Sequence, residues 1–198
     1  RIQQEGLLGK EVTREILGHI FLAGREQYLR YSYKCKRRYL ETNNHITFFA
    51  YSIAELLPQA KFIHVHRHPG DFVSSGLKRS WFLDNGSDHR QILPPDHSSD
   101  PVWSSYNTIQ KISWLWKETN SFIESFKSSI PAERVHTLDF SSMDTGSLKE
   151  MLAFTEAELG EKKLKRRITR RVNDQHFSQD ERYPNWPEKD KEDLAKIC

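Results

Sequence analysis

The sequence predicts an α/β fold in which helices flank a parallel β-sheet. Two short β-rich runs, Lys61–Arg67 and Arg134–Phe140, lie far apart in the chain, and apolar residues recur at helical spacing before, between and after them. The resulting order of helix, strand, helix, helix and strand is typical of a sheet with helices on both faces. Two strands are few for such a sheet, so a part of it is either absent from this sequence or not recognisable in it.

The chain before the first strand is expected to be helical. Apolar residues from Lys10 to Tyr33 recur mostly at helical spacing and predict one or two amphipathic helices. Lys36–Glu41 is expected to be a short extended segment, and a further helix is predicted over Ile46–Leu57, where Pro58 ends it. The residues expected to face inward are Val12, Ile16, Ile20, Phe21, Tyr28 and Leu29 in the first region and Phe49, Ile53, Leu56 and Leu57 in the second.

A helix is predicted directly after the first strand. The strand Lys61–Arg67 ends against Pro69, and proline is favoured at the first position of a helix because its missing N–H would be unpaired there. Asp71 lies in the first turn, where a carboxylate suits the positive end of the helix dipole. This helix is expected to end near Trp81.

The remaining chain is predicted to be mostly helical around the second strand. Phe82–Trp103 is polar and rich in Pro, Asp and Ser, which predicts a long loop of the kind that often forms lids or binding surfaces. Helices are expected over Ser104–Phe126 and Ser147–Leu159, followed by a basic helix, an irregular segment through Trp186 and a short charged helix. No repeat or boundary divides the sequence, so a single domain is predicted over residues 1–198.

Composition excludes several classes of protein. Hydrophobic residues make up 36% and aromatic residues 12%, which excludes an intrinsically disordered chain. No apolar run is long enough to span a bilayer. The two distant cysteines, Cys35 and Cys198, form neither a metal motif nor a disulfide framework. They fit a reducing compartment, so a cytoplasmic protein is expected, with a lumenal protein that does not use disulfides as the alternative.

The net charge of +3 is too small to indicate nucleic-acid binding by itself. The basic residues are concentrated, however, because Glu161–Arg171 holds seven of the 30 Lys and Arg residues. A solvated helix face and a basic wall beside a polyanionic ligand are both open interpretations of this run.

The end of the first strand has the features of an anion-binding site. Arg67 lies at the carboxyl end of the strand and directly before a helix start, where ligands bind in open α/β sheets and where free N–H groups attract anions. Its guanidinium is a bidentate partner for phosphate. Ser75 lies about two turns into the helix on nearly the same side, with Ser74 as the adjacent alternative. A surface ion pair between Arg67 and Asp71 is an equally open interpretation.

The segment AKFIHVHRHPGDFVSSGLK, Ala60–Lys78, resembles the 3′-phosphate-binding segment of the sulfotransferases that depend on 3′-phosphoadenosine 5′-phosphosulfate (PAPS). That segment is an apolar strand ending in Arg, then one residue and Pro, then Asp, with Ser near the end. The resemblance implies that Arg67 and Ser75 hold the 3′-phosphate of PAPS, in a helix-rich sulfotransferase fold of the P-loop NTPase type. The sequence departs from the pattern at His68, where Asp or Asn is usual, and at Gly70, where a basic residue is common.

The segment YLETNNHITFF, Tyr39–Phe49, resembles the family segment just upstream of that strand. By this resemblance His45 lies where cytosolic members have their catalytic His, and Asn43 stands where they have a Lys. Many members use a Glu as the general base instead, and Glu41 is a further candidate for that role. His45 also has a simpler interpretation, as a residue that caps or packs locally at a helix start.

Two later segments resemble the family more loosely. RVHTLDFSSM, Arg134–Met143, resembles a strand and corner at which an aromatic residue packs near the adenine, and Phe140 takes that place. RRVNDQHF resembles a C-terminal segment in which a basic residue reaches the nucleotide phosphates, so Arg170 and Arg171 are the candidates. Family members begin with a strand, a Gly/Ser/Thr-rich phosphosulfate loop and a helix. No such loop precedes Lys10, so the N-terminal β-loop-α unit is expected to be missing from this sequence.

The resemblance implies transfer of a sulfuryl group from PAPS to an acceptor hydroxyl or amine, on a small molecule or a glycan. The product nucleotide is then adenosine 3′,5′-bisphosphate, and neither a metal nor a nucleic-acid partner is expected. The alternatives are a non-catalytic nucleotide- or nucleic-acid-binding module that uses the basic run Lys162–Arg171, and an inactive remnant of the same fold. Neither the acceptor nor the oligomeric state follows from the sequence.

Two side-chain patterns have competing interpretations. His64, His66 and His68 alternate and would share one face of a strand, as in a zinc site. A central parallel strand buries both faces, however, and no cysteine lies nearby, so no metal is expected. Trp103 and Trp116 could stack on a nucleotide or an acceptor, although core packing is the commoner role of such residues.

Overall fold

The computed structural model describes residues 10–83, 92–94, 99–169 and 182–198. Its helices are α1 (Lys10–Lys34), α2 (Ala50–Leu56), α3 (Pro69–Lys78), α4 (Pro101–Ser105), α5 (Thr108–Lys127), α6 (Thr145–Phe154), α7 (Glu161–Thr169) and α8 (Glu188–Ala195). Its strands are β1 (Phe62–His66) and β2 (Val135–Asp139), and short 3-10 helices cover Asn44–Phe49, Ala132–Arg134 and Tyr183–Asn185. None of the helices in these ranges combines the length and the apolar character needed to cross a membrane.

Contacts divide the chain into two compact units, Arg1–Ala60 with Phe122–Arg134 and Lys61–Ser121 with Val135–Cys198. The single domain predicted over residues 1–198 stays a prediction.

The sheet lies in the second unit. β1 and β2 run parallel, with Phe62 opposite Val135 and His66 opposite Asp139. The parallel arrangement and the helix-rich character of the prediction are therefore confirmed, and the described residues supply two strands to the sheet. Parallel pairing brings the carboxyl ends of both strands to the same edge, which is the edge that carries the candidate site.

The core of the second unit forms between α3 and α5. Val73 and Ile112 are fully enclosed, because the apolar stripe of each helix faces the other elements of the unit. Trp103 belongs to the same buried cluster. The structure therefore bears out core packing for this residue and not stacking on a ligand. Further members of the cluster are Phe82, Leu115, Trp186 and Leu194.

The predicted loop Phe82–Trp103 is wrong at its C-terminal end, because α4 begins at Pro101. Asp100 precedes the helix and accepts a hydrogen bond from the Val102 N–H at 2.8 Å, and proline occupies the first helical position. Residues 84–91 and 95–98 of that segment lie outside the described residues.

The first unit is built on α1, and the predicted inward face of this helix is largely wrong. Leu17 and Phe21 are buried, whereas Ile16 and Ile20 are 43% and 52% exposed. Apolar residues occur on two sides of α1, so periodicity alone did not identify the side that packs. The close approach of α2 identifies it, because a Cβ on Gly18 would lie 2.6 Å from Cδ1 of Leu56.

Helix boundaries differ from the predictions by a few residues. The helix predicted over Ile46–Leu57 is a 3-10 turn followed by α2, and Asn43 caps the turn through a hydrogen bond from the His45 N–H at 2.9 Å. The helix predicted over Ser147–Leu159 begins earlier, where Asp144 and Ser147 form a capping box, and ends at Phe154. Caps and turn geometry decide these boundaries.

Candidate anion-binding site

Arg67 follows β1 directly and precedes α3, as the sequence predicted. Its main-chain carbonyl oxygen accepts a hydrogen bond from Nε1 of Trp116 at 2.9 Å, which fixes the junction against α5. The N–H of Phe140 donates to the carbonyl oxygen of His66 at 2.8 Å, so the two strand ends are adjacent. Cζ of Arg67 then lies 5.5 Å from the ring centroid of Phe140, which is close enough for a cation–π contact. Two of the predicted site residues, Arg67 and Phe140, are thereby brought together.

A second guanidinium lies at the other end of α3. Nη1 of Arg79 donates to the carbonyl oxygen of Ser75 at 3.2 Å and also to its hydroxyl oxygen. Ser74 is occupied within the helix, because its hydroxyl donates to the carbonyl oxygen of Gly70 at 2.9 Å. Ser75 is therefore the serine that faces a cation. Arg79 was missed by the sequence reasoning, although its four-residue spacing from Ser75 places both on one helix face.

The site carries more positive than negative charge. Burial lowers the pKa of the Arg67 guanidinium, the Asp71 carboxylate raises it, and the charge of Arg79 lowers it further. No ion pair joins Arg67 to Asp71 within the part of the chain that the structure describes, so the surface-pair interpretation is not what the geometry shows. Nε of Arg67 is buried and has no hydrogen-bond partner among the described residues. An anion could accept the hydrogen bond that Nε of Arg67 lacks and would add a negative charge beside the two guanidiniums.

The start of α3 differs from the prediction that its N–H groups are free for an anion. The Gly70 N–H donates to Nδ1 of His68 at 3.1 Å, and the ring of Tyr183 packs over the same turn. A Cβ on Gly70 would lie 2.1 Å from Cγ of Tyr183, so only glycine fits beneath this ring. The first turn of α3 is thus partly capped from within the chain, which leaves the two guanidiniums as the main groups that could bind an anion there.

The three histidines do not converge on one point. Nε2 of His64 lies 3.0 Å from Oδ1 of Asn120, and the His66 ring packs edge-on against Trp116, which places both residues against α5. His68 instead caps α3. Among the described residues, no group of three His, Cys, Asp or Glu side chains is arranged to hold a metal ion.

The two candidate bases lie in the first unit. Glu41 is held by two donors, since Nε of Arg25 and the hydroxyl of Tyr39 lie 2.6 Å and 2.5 Å from its Oε2. The hydrogen bond from Arg25, followed by that from Tyr39, lowers the pKa of Glu41 below its ordinary value. His45 is the second residue of the 3-10 helix Asn44–Phe49 and is exposed. The main-chain N–H of His45 donates to the side chain of Asn43, which caps the turn. The imidazole takes no part in this hydrogen bond.

Arg170 and Arg171, the basic residues predicted to reach the nucleotide phosphates, lie outside the described residues. The structure therefore brings together Arg67, Phe140, Ser75 and Arg79 in one unit and places Glu41 and His45 in the other. Trp116, for which the sequence offered stacking on a ligand or core packing, instead fixes the main chain of Arg67 through its indole N–H.

A parallel sheet whose strand-to-helix junction presents the Arg67 guanidinium, for which no ion pair forms among the described residues, defines an α/β protein with a candidate phosphate site. The profile of the sulfotransferase family matches residues 10–158 of this chain. This match covers more than half of the 198 residues, and the chain belongs to the sulfotransferase family. Comparisons with curated proteins and with solved structures find no match.

Proposed function

We propose that the chain is a sulfotransferase of P-loop-like fold that uses PAPS and transfers its sulfuryl group to an acceptor hydroxyl or amine on a small molecule or a glycan. The observation that carries this proposal is the cluster of Arg67, Ser75 and Arg79 within the segment that the family profile covers. The residues fit a phosphate monoester, because Arg79 contacts the Ser75 hydroxyl, its charge lowers the pKa of Arg67, and no carboxylate forms an ion pair with Arg67 among the described residues.

In this proposal Arg67 and Arg79 bind the 3′-phosphate from two sides, and the Ser75 hydroxyl donates to it. Arg79 already lies against Ser75, so little side-chain entropy is lost when the pair takes up the phosphate. Phe140 holds the Arg67 guanidinium by its ring face and offers an aromatic surface, 48% exposed, to an adenine. When bound, PAPS supplies the sulfuryl group.

Sulfuryl transfer to a hydroxyl needs a general base that takes the acceptor proton. We assign this role to His45 and keep Glu41 as the alternative. The hydrogen bonds from Arg25 and Tyr39 lower the pKa of Glu41 and occupy one of its carboxylate oxygens, and both effects make it a weaker base. His45 is exposed at the start of its turn. We expect His45→Ala to lower kcat by about 10²-fold or more while nucleotide affinity stays constant.

The assignment of the base is decided by comparing two variants. A loss of kcat in Glu41→Gln that equals or exceeds the loss in His45→Ala would transfer the role to Glu41. Because Gln keeps the shape of Glu and still accepts a hydrogen bond from Arg25, this variant separates basicity from packing.

Calorimetric titration with adenosine 3′,5′-bisphosphate tests the proposed donor site. We expect binding to this nucleotide and at least about tenfold weaker binding to adenosine 5′-monophosphate, because the second nucleotide lacks the phosphate that the guanidiniums hold. Arg67→Ala should abolish the difference between the two nucleotides. Equal affinities for both in the wild-type chain would contradict the assignment of the site.

The alternative, a nucleic-acid-binding module, rests on α7. Lys162, Lys163 and Arg166 are exposed on this helix, while Leu164 anchors it in the second unit. If this alternative holds, affinity for single-stranded nucleic acid falls steeply with salt, and Arg67→Ala leaves it unchanged. The calorimetric preference for the 3′-phosphate distinguishes the two functions, since backbone phosphates would not require it.

A further inference from the structure

The segment between α1 and the 3-10 helix that carries His45 has no regular backbone structure. α1 ends at Lys34 and the 3-10 helix begins at Asn44, and the chain from residue 37 to residue 43 belongs to neither a helix nor a strand. Such a segment lacks the ladder of main-chain hydrogen bonds that fixes the course of a regular element. The place of His45 therefore depends on the side-chain contacts that hold this segment.

A contact of this kind joins the segment to α1. Nε of Arg25, which lies on α1, donates to Oε2 of Glu41 at 2.6 Å. The hydroxyl of Tyr39 donates to the same oxygen at 2.5 Å. Nη1 of Arg25 also donates to the carbonyl oxygen of Gly24 at 3.2 Å, so the guanidinium is held by its own helix as well. Glu41 is thereby anchored to α1 through Arg25.

The pair of Arg25 and Glu41 is partly shielded from water. Their side chains are 26% and 18% exposed. Arg14 forms a second ion pair between α1 and a distant residue, with Glu55 of α2 at 3.2 Å, but these two side chains are 38% and 57% exposed. An ion pair that water screens less holds its partners more firmly. The contact between Arg25 and Glu41 is therefore the stronger constraint of the two.

Two further hydrogen bonds lead from Glu41 to His45. The main-chain N–H of Asn43 donates to the carboxylate of Glu41. The side chain of Asn43 in turn accepts a hydrogen bond from the main-chain N–H of His45 at 2.9 Å. Arg25 is thus connected to His45 through three successive hydrogen bonds, by way of Glu41 and Asn43.

Stability alone is a weak explanation of this arrangement. Even a partly shielded ion pair contributes modestly to the stability of a fold, yet three donors converge here on one carboxylate. What the arrangement fixes is the main chain of the turn, while His45 itself is exposed. A backbone that is held firmly beneath an exposed imidazole is what a general base needs, because small displacements of a reacting group cost much of its rate.

We propose that Arg25 is a positioning residue, which holds the main chain of His45 through Glu41 and Asn43 and so keeps the imidazole where it meets the acceptor hydroxyl. This inference rests on the proposed function, in which His45 is the general base. Arg25 contacts neither the donor nor the acceptor in it. Glu41 then serves as the anchor of the turn, and its hydrogen bonds with Arg25 and Tyr39 leave the proton transfer to His45.

Amide hydrogen exchange in the full chain tests the positional link without the reaction. We expect the His45 N–H to exchange at least about fivefold faster in Arg25→Gln than in the wild-type chain, because the turn is released from α1. Arg14→Gln is the matched control, since it removes an arginine of α1 from an ion pair that leads to α2 and not to His45. An unchanged exchange rate in Arg25→Gln, or the same increase in both variants, overturns the proposal.

Turnover of PAPS with an alkyl glycoside as the acceptor tests the consequence for the reaction. Arg25→Gln should lower kcat by about tenfold while affinity for adenosine 3′,5′-bisphosphate stays constant. Arg25→Lys keeps the charge and should restore kcat to within about threefold of the wild-type value. In the His45→Ala background Arg25→Gln should have no further effect, because the group that it positions is gone. Additive losses in this double variant overturn the proposal.

The outcomes separate this inference from the function on which it rests. Full kcat in His45→Ala removes the base, and the positioning role is overturned with it. A loss of kcat in His45→Ala but not in Arg25→Gln overturns the positioning role alone. An absence of turnover in the wild-type chain counts against the proposed function, and the exchange rate of the His45 N–H then decides the positional link. A thermal midpoint of Arg25→Gln well above the assay temperature shows that its loss of kcat is not a consequence of unfolding.

Discussion

Nη1 of Arg79 donates to both the main-chain carbonyl oxygen and the hydroxyl oxygen of Ser75, with the carbonyl bond at 3.2 Å. The guanidinium therefore folds back along α3 toward the strand end, where its charge lowers the pKa of Arg67. The strand-to-helix junction supplies one cation, and α3 supplies the hydroxyl group of Ser75 and, at its C-terminal end, the second cation. A bound phosphate would replace the repulsion between the cations with two charge-assisted contacts.

Arg79→Ala should weaken binding of adenosine 3′,5′-bisphosphate by roughly tenfold to a hundredfold. The physical reason is the loss of a charge-assisted hydrogen bond, which is worth about 1.5–3 kcal/mol. Calorimetric titration measures this change, and binding of adenosine 5′-monophosphate should change little. Lys78→Ala is the matched control, because it removes the neighbouring exposed cation of α3, whereas Arg79 is the residue that donates to Ser75. Equal losses in both variants would indicate a general charge effect and not a site.

Trp116→Phe should impair the site without removing any group that contacts phosphate. The indole Nε1 donates to the carbonyl oxygen of Arg67 at 2.9 Å, and phenylalanine keeps the ring packing but has no donor. We expect a loss of about 1 kcal/mol in the free energy of unfolding and a several-fold loss in affinity for adenosine 3′,5′-bisphosphate. Urea denaturation and calorimetry measure the two quantities. An unchanged affinity would show that this hydrogen bond does not position Arg67.

Gly70→Ala should displace the ring of Tyr183 and destabilise the chain by about 1–3 kcal/mol, because the added Cβ would lie 2.1 Å from Cγ of that ring. Urea denaturation measures the change. The double variant with Tyr183→Ala gives the control, since the new methyl group has no ring to meet there. We expect the two effects to be strongly non-additive. Additive effects would mean that the contact between Gly70 and Tyr183 does not form in solution.

Glu41→Gln should reduce the free energy of unfolding near neutral pH by about 1 kcal/mol, a value kept small because the pair with Arg25 is partly exposed to solvent. The pKa of Glu41 is lowered in the folded chain from an ordinary value of 4.5, so its ionised form stabilises the fold. This contribution is complete above pH 4.5 and is lost as the pH falls through the lowered folded-state pKa. Urea denaturation across this range should show the two proteins converging at acid pH. A difference that does not change with pH would mean that the charge of Glu41 does not stabilise the fold.

The local elements of the candidate site could be predicted from the sequence because their determinants are local. An alternating apolar run followed by Pro69 and Asp71 indicates a strand and then a helix start, whatever the rest of the chain does. The positions of Arg67 and Ser75 on these elements follow directly. Membership of the sulfotransferase family, which the family profile shows, was also visible in this segment.

The partners of these residues could not be predicted, because they come from distant parts of the chain. Trp116 reaches Arg67 across 49 positions, and Tyr183 lies over Gly70 from the C-terminal segment. The side of α1 that packs was predicted wrongly for a related reason, since apolar residues occur on both sides and α2 covers only one.

The sequence by itself determined the order of the elements, the strand-to-helix junction and the residue types that it presents to an anion. Only the tertiary structure decided that Arg67 has no ion pair with Asp71 among the described residues, that Arg79 joins it, and that Glu41 is engaged by Arg25 and Tyr39. The physical reason is that the spacing of apolar residues and the residues that begin or end a helix are properties of neighbouring positions in the sequence. Burial, pKa and partner choice instead depend on which distant surfaces meet.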